Sequence, residues 1–189
     1  MSDEHATLNE PTSRRGAAVA VVLSRVTHDA SDGDLLLVRR ATYPGDPWSG
    51  HIALPGGRHE PDDATLEDTA RRETLEETGI DLRAARCVGS LPEIVPNFIR
   101  RPALVIRPFV FAYHGERRVM LSPELAEAWW HPVESLRRAE AWETLDVHAG
   151  GAARAVRGYR LHGHVIWGIT ERILGELFAR PELIARAAG

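Results

Sequence analysis

The sequence predicts a mixed α/β fold, and three observations carry that expectation. Runs of strand length rich in valine, leucine and isoleucine recur along the chain, one stretch has a capped helical pattern, and the closing stretch has apolar residues at helical spacing. In chain order, strands are expected at 17–26 and 34–39. The segment His28-Asp29-Ala30-Ser31-Asp32-Gly33 between them is rich in turn formers, so the two strands read as a hairpin. Residues 41–50 hold two prolines and two glycines and read as loop. The short apolar run Ile52 to Leu54 then enters Pro55-Gly56-Gly57. A helix is expected over 65–78, with Thr65 as N-cap, Asp68 three residues on and Gly79 as its stop. Strands follow at 86–90, 103–113 and 117–121. Ser122-Pro123-Glu124 reads as the start of a helix running into Ala126, Ala128 and Trp129. A last strand is expected near 155–161, and Val165 to Arg180 places Ile166, Ile169, Ile173, Leu174, Leu177 and Phe178 on one face of an amphipathic helix. Gly150-Gly151-Ala152-Ala153 reads as a mobile loop. Residues 1–15 are almost free of apolar side chains and read as a disordered tail, leaving 16–189 as a single domain.

Composition narrows the chemistry. The chain has 189 residues and a formal net charge of −4, and all 23 of its basic residues are arginine. Without lysine, Schiff-base chemistry, a P-loop lysine and a Ser-Lys dyad are excluded. The single cysteine, Cys87, excludes an intramolecular disulfide framework and a Cys-rich zinc site, and fits a reducing, cytoplasmic compartment. The mildly acidic balance argues against nucleic-acid binding by bulk electrostatics. No run of 18 apolar residues predicts a membrane span. Arg14-Arg15 before the apolar stretch Ala17 to Leu23 superficially resembles an export signal, but seven valine-rich residues without a small-residue cleavage site read better as a buried strand.

Residues 54–80 carry the chemistry. On a helix, Glu73 and Glu77 are four residues apart and Glu76 is three from Glu73, so the three carboxylates share one arc. Such crowding costs helix stability unless a cation sits there, and hard oxygen donors select Mg²⁺, Mn²⁺ or Ca²⁺. Arg72, four residues before Glu76, is placed to pair with it and orient it. Gly56 and Gly57 let the backbone approach a ligand, and a free glycine carbonyl can complete a metal's coordination. Ala70, Thr74, Leu75 and Thr78 would pack the other side of the helix on a sheet. Taken together, a strand, a Gly-Gly loop and an acidic helix suit metal-assisted attack of water on a diphosphate. A merely solvated acidic face is the alternative.

The run Arg72-Glu73-Thr74-Leu75-Glu76-Glu77-Thr78-Gly79-Ile80 closely resembles the Nudix box, G-x5-E-x7-R-E-U-x-E-E-x-G-U with U bulky and apolar. The resemblance extends over about 16–180. It implies an α/β/α sandwich with a mixed β-sheet, Mg²⁺ or Mn²⁺ as cofactor, a nucleoside diphosphate derivative as the small-molecule partner, and hydrolysis of its diphosphate linkage; a homodimer is compatible with it. Carried over residue by residue, Glu73, Glu76 and Glu77 become metal ligands with Gly57, and Glu76, Glu77 and Arg72 the catalytic set. Two departures stand out. The segment Gly57 to Ile80 is one residue longer than the family pattern, with Asp63 or Glu60 nearest to its early glutamate, and Thr74 occupies an apolar position. The longer loop resembles the subgroup that cleaves coenzyme A, as do Leu36-Leu37-Val38-Arg39 and Ile166-Trp167-Gly168-Ile169-Thr170, although His51 stands where that subgroup carries Glu or Gln.

Coenzyme A or an acyl-CoA is therefore the first-choice substrate, with ADP-ribose, a nucleotide sugar, a dinucleoside polyphosphate or a damaged nucleoside triphosphate as alternatives. A Nudix-fold sensor that binds a nucleotide without cleaving it is the alternative of another class. Arg39, Arg40, Arg58, Arg100 and Arg101 are potential phosphate contacts because guanidinium offers paired donors to anionic oxygens. Arg58 beside the Gly-Gly turn, Gly56 and Arg39 are the substrate-binding choices. Glu93, Glu116, Glu124 and Glu127 lie outside the box as possible general bases. His162 and His164 would share one face of a strand, Trp129, Trp130 and Trp142 read as packing, and Cys87 as buried and inert.

Overall fold

The structure is a computed structural model and describes residues 16–27, 33–44, 46, 48–96, 104–149 and 152–188. The expected tail 1–15, most of the first turn, Arg100, Arg101 and the Gly150-Gly151 pair lie outside the described residues.

Strand β1 (Gly16–Ser24) organises the main sheet. Its last two residues pair antiparallel with the start of β2 (Asp34–Arg40), which is the expected hairpin. Along its whole length β1 runs parallel to β6 (Val105–Tyr113), so the sheet is mixed. The free half of the other edge of β1 is taken by β4 (Gly56–Arg58), with Ala18 opposite Gly57. Strands β3 (Ile52–Ala53) and β7 (Leu125–Pro132) both pair with β2, and β5 (Arg86–Ser90) closes the far side on β6. A second, three-stranded sheet follows the order β10-β9-β8, from β8 (Glu143–Ala149), β9 (Ala152–Leu161) and β10 (His164–Ile166).

Helices cover both faces, as an α/β/α sandwich requires. Helix α1 (Leu66–Thr78) lies on one face, where Ala70 packs with Ala18, Ala20, Val22, Leu36 and Phe111. The other face carries the short α2 (Val133–Arg137), α3 (Gly168–Phe178) and α4 (Pro181–Arg186). There Leu136, Ile173, Leu174, Leu177 and Ile184 bury against Val21, Leu23, Leu35 and Leu37. Period-2 alternation along β1 and β2 therefore feeds both cores from the same strands.

Six expectations are corrected. Ala152 and Ala153, expected in a loop, open strand β9, because they pair with Ala149 and His148 of β8. Residues 117–121 are irregular, not a strand. The segment after Ser122-Pro123-Glu124 is strand β7, not a helix. Its register against β2 is unbroken from Glu127 to Pro132 and resumes at Leu125 after a bulge, and Trp129 and Trp130 point into opposite cores, so tertiary pairing overrides a local helix-start signal. The closing helix begins at Gly168, because Val165 and Ile166 are spent in β10. His162 sits in the turn between β9 and β10 with φ 49°, so it does not share a strand face with His164. On α1, Thr74 and Thr78 are buried as expected, while Leu75 is exposed.

Candidate active site

Helix α1 is terminated by its own sequence. The Thr65 side chain accepts the Asp68 N–H at 3.1 Å, and Gly79, at φ 70°, donates its N–H to Leu75 at 2.8 Å. Small residues bring the helix close to the sheet. The hydroxyls of Thr74 and Thr78 are fully buried and are satisfied by Ala70 O at 2.7 Å and Thr74 O at 2.6 Å, which explains how threonine serves at an apolar position of the box. Arg71 fixes the helix sideways: it pairs with Glu67, donates to the carbonyls of Leu82 and Ala85, and lies 4.7 Å over the Phe111 ring.

The next residue builds the site. Arg72 donates twice to Asp63, Nε to Oδ1 at 2.9 Å and Nη2 to Oδ2 at 3.0 Å. Its Nη1 reaches Glu73 and Glu76, both at 3.0 Å, and Nη2 also reaches the Arg58 carbonyl at 3.0 Å. One guanidinium thus ties the loop after β4 to two carboxylates of α1. Asp63 is buried and also accepts the Thr69 hydroxyl at 2.8 Å and the Glu60 N–H at 3.0 Å. The Arg72 hydrogen bonds, against the cost of burial, hold its carboxyl well below the usual carboxylate range. Asp63 is fully engaged in orienting Arg72. Glu60 and Asp62, the other acids of the longer loop, are exposed.

Glu77 is 5% exposed and its Oε2 accepts the Gly56 N–H at 3.0 Å. Burial, opposed by that hydrogen bond and reinforced by the charges of Glu73 and Glu124, pushes its pKa up to about 8. The Glu73 carboxyl is also raised, first by burial and against the pull of Arg72. Gly57 lies hard against Glu73: a Cβ there would fall under 3.0 Å from the carboxylate. Gly56, at φ 151°, has no room either, since a Cβ would overlap Ala18 O and Val19 Cα.

Glu124 is the component that motif spacing did not single out. The segment that carries it is clasped on both sides: Ser122 donates its N–H to Glu77 O at 2.9 Å, and the Ala41 N–H reaches Glu124 O at 2.8 Å. Its charge acts on both Glu73 and Glu77. The signal lay in long-range pairing, which single-sequence spacing does not encode.

The donor set fits a hard divalent cation. Two carboxyl groups whose burial disfavours their charge, beside a Gly-Gly turn and facing a third acid, need positive charge to ionise together. Among the described residues no three or more His, Cys, Asp or Glu form a finished cage, because Glu76 is turned onto Arg72 and Glu77 onto Gly56.

The remaining sequence choices fall as follows. Arg58 is exposed beside the turn and has no side-chain partner among the described residues. Arg39 is engaged by Glu127, at 2.9 Å from Nε and 2.5 Å from Nη2, on the face of β2 that Leu35 and Leu37 share, away from α1. His164 Nε2 lies 3.9 Å from the same glutamate. Trp130 stacks on Tyr113 and Trp142 packs with Tyr159. Cys87 is half-buried, and burial raises its thiol pKa.

Comparison with known proteins accords with this architecture. The NUDIX domain family profile matches residues 14–148. An uncharacterized Nudix hydrolase, NudL, of Cronobacter sakazakii is 31% identical over 160 residues, covering 84% of this chain and 80% of its own. An uncharacterized protein of Schizosaccharomyces pombe is 39% identical over 126 residues, of which this chain spans only 38% of the length. Among solved structures, a MutT/nudix family protein from Enterococcus faecalis superposes with a TM-score of 0.61 at 19% identity, covering 95% of this chain and 69% of that one. A NUDIX hydrolase from Alicyclobacillus acidocaldarius gives 0.56 at 22% identity, covering 93% and 96%. None of the described helices is long and apolar enough to cross a membrane. The profile match, the bacterial relative and the sandwich built around Arg72 agree, and this chain belongs to the Nudix hydrolase family.

Proposed function

We propose that this chain hydrolyses the diphosphate linkage of a nucleoside diphosphate derivative with Mg²⁺ or Mn²⁺, and that coenzyme A or an acyl-CoA is the preferred substrate. The observation that carries the reading is the arrangement of Glu73 and Glu77 against Gly56 and Gly57, with Arg72 holding Glu73 and Glu76 from the opposite side. A bound divalent metal supplies charge neutralisation of phosphate oxygens and an activated water. Glu73, Glu76 and Glu77 hold it, Gly57 offers its carbonyl, and Arg72 acts as a positioning residue clamped by Asp63. The charge of Glu124 acts on Glu73 and Glu77, which supports it among the acids outside the box as the group that would accept a proton from the attacking water. The coenzyme A preference rests on the longer Gly-Gly loop and the flanking segments around Arg39 and Trp167.

A substrate panel with Mg²⁺ or Mn²⁺, its products resolved by chromatography, tests the reading. Release of phosphopantetheine and adenosine bisphosphate is expected. Turnover of ADP-ribose or a dinucleotide alone would remove coenzyme A, and tight nucleotide binding without turnover of any substrate would favour a sensor.

A further inference from the structure

The segment that leaves β2 presents two recognition groups whose capacity is only partly used. A bulge separates Arg39 from Arg40 in the β2–β7 register, and strand alternation places Arg40 on the side of Leu36, the face that α1 covers. Its charge acts on Glu77 and on His51. Among the described residues the guanidinium uses Nη2 alone, on Asp46 at 3.2 Å; its Nε is buried without a partner, and the side chain remains one-third exposed at 32%. Arg39, by contrast, is spent on Glu127.

Three residues on, Tyr43 is held rigidly yet left open. Its hydroxyl donates to Pro123 O at 2.8 Å, its N–H donates to Ser49 Oγ at 2.9 Å, and the Ser49 hydroxyl returns a bond to its carbonyl at 2.8 Å. The side chain is nevertheless part of a residue 47% exposed. Pro123 immediately precedes Glu124, whose charge acts on Glu73 and Glu77, so the Tyr43 hydroxyl is anchored one residue from that acid. Among the described residues, the exposed large apolar side chains Tyr43, Leu75, Met120 and Leu121 lie in this segment, in the stretch before Pro123 or on α1. An aromatic ring fixed at both ends and bare on its surface is a stacking platform with little ordering entropy left to lose.

We propose that this segment is the nucleotide-recognition wall of the site, Arg40 taking a phosphate oxygen and the Tyr43 ring stacking on the base of the nucleoside diphosphate. The assignment rests on the hydrolase reading above and adds which part of the substrate lies on which wall: the diphosphate between Arg40 and the carboxylate cluster, the base over Tyr43.

Binding of α,β-methylene-ADP and of base-free methylenediphosphonate, titrated calorimetrically in Mg²⁺, tests it. Tyr43→Leu is expected to weaken the nucleotide about tenfold and the diphosphonate less than about twofold. Tyr43→Phe keeps the ring and most of the affinity, while Arg40→Gln weakens both probes about tenfold. Thermal melts of each variant separate loss of fold from loss of contact, and Arg40→Lys retains the charge should the glutamine variant fail to fold. Equal affinity of Tyr43→Leu and wild type for the nucleotide, equal losses on both probes, or a wild type that binds neither would overturn the proposal. Turnover assays keep the two readings apart. A wild type showing this binding pattern but cleaving no diphosphate overturns the hydrolase reading and leaves the wall standing, whereas a cleaving wild type whose Tyr43→Leu variant binds both probes normally overturns the wall alone.

Discussion

On one face of the main sheet Ile173, Leu174, Leu177 and Ile184 bury apolar side chains against Val21 and Leu35; on the other, α1 lies on Ala70, Thr74 and Thr78 and is tied down by Arg71 and Arg72. The first face is stabilised by removing area from water, a non-directional force that tolerates small shifts. The second is stabilised by directional bonds between charged groups, which fix side-chain positions to fractions of an ångström. Chemistry sits on the second face because carboxylates must be held at set distances, and the first face supplies the stability that the crowded carboxylates lower.

The largest effect expected from breaking this division is on turnover. Glu77→Gln removes a charge without changing shape, and turnover should fall about 10³-fold, on the order of 4 kcal/mol of transition-state stabilisation. The melting temperature of the metal-free protein should hold at neutral pH, because the Glu77 carboxyl, with its pKa pushed up to about 8, is already mostly protonated there; wild-type turnover would show that the metal lies elsewhere. Leu174→Ala, on the apolar face, should do the reverse. It should cost about 3 kcal/mol in denaturant unfolding with KM retained by the folded fraction, and a changed KM would mean that the two faces are not separable.

Arg72→Lys is smaller and more diagnostic. Lysine cannot bond Asp63 in parallel while reaching Glu73 and Glu76, so Mn²⁺ affinity should fall about 10- to 100-fold in a calorimetric titration. Retention of affinity would demote Arg72 to a surface pair. The smallest expected effect is on pH dependence. The Glu77 pKa, about 8 in the folded chain, lies above the ordinary 4.5, so the folded state holds the extra proton between those values. Stability of the metal-free protein from this group is full below about pH 4.5 and is lost as pH rises through about 8. Mn²⁺ should displace that proton, so metal binding should release protons and tighten over the same window. A flat unfolding profile, or tighter binding at low pH, would contradict it.

How much of this was legible in the sequence depends on the range of the interactions. Helix α1 could be read from residue letters because Thr65, Asp68 and Gly79 cap it locally. The Arg72–Glu76 pair was legible for the same reason, being one helical turn apart. Strand β7 was misread because Ser122-Pro123-Glu124 carries a genuine local start signal, while its pairing with β2 spans about ninety positions, as in Arg39 to Glu127. Strand β8 escaped notice because Glu143-Thr144-Leu145-Asp146 is too polar to declare itself without β9 beside it. The clamp of Asp63 on Arg72 was hidden by the extra loop residue, which breaks the spacing but not the contact.

Strand β4 holds only three residues, yet each pairs with β1, the strand bonded along both edges. β1 is also bonded along its whole length to β6, so amide hydrogen exchange at Gly56–Arg58 should be slow but no slower than at Ala17–Val19, which can stay paired when β4 opens. The Gly56-Gly57 pair is thereby a wall held by strand pairing with β1 and by the Glu77 carboxylate. The facing wall is held by individual bonds instead, Ala41 N–H to Glu124 O and the Tyr43 hydroxyl to Pro123 O. Two walls of one site are thus built from different forces, a strand ladder on one side and separate side-chain and loop bonds on the other, so a single substitution reaches the second far more readily than the first.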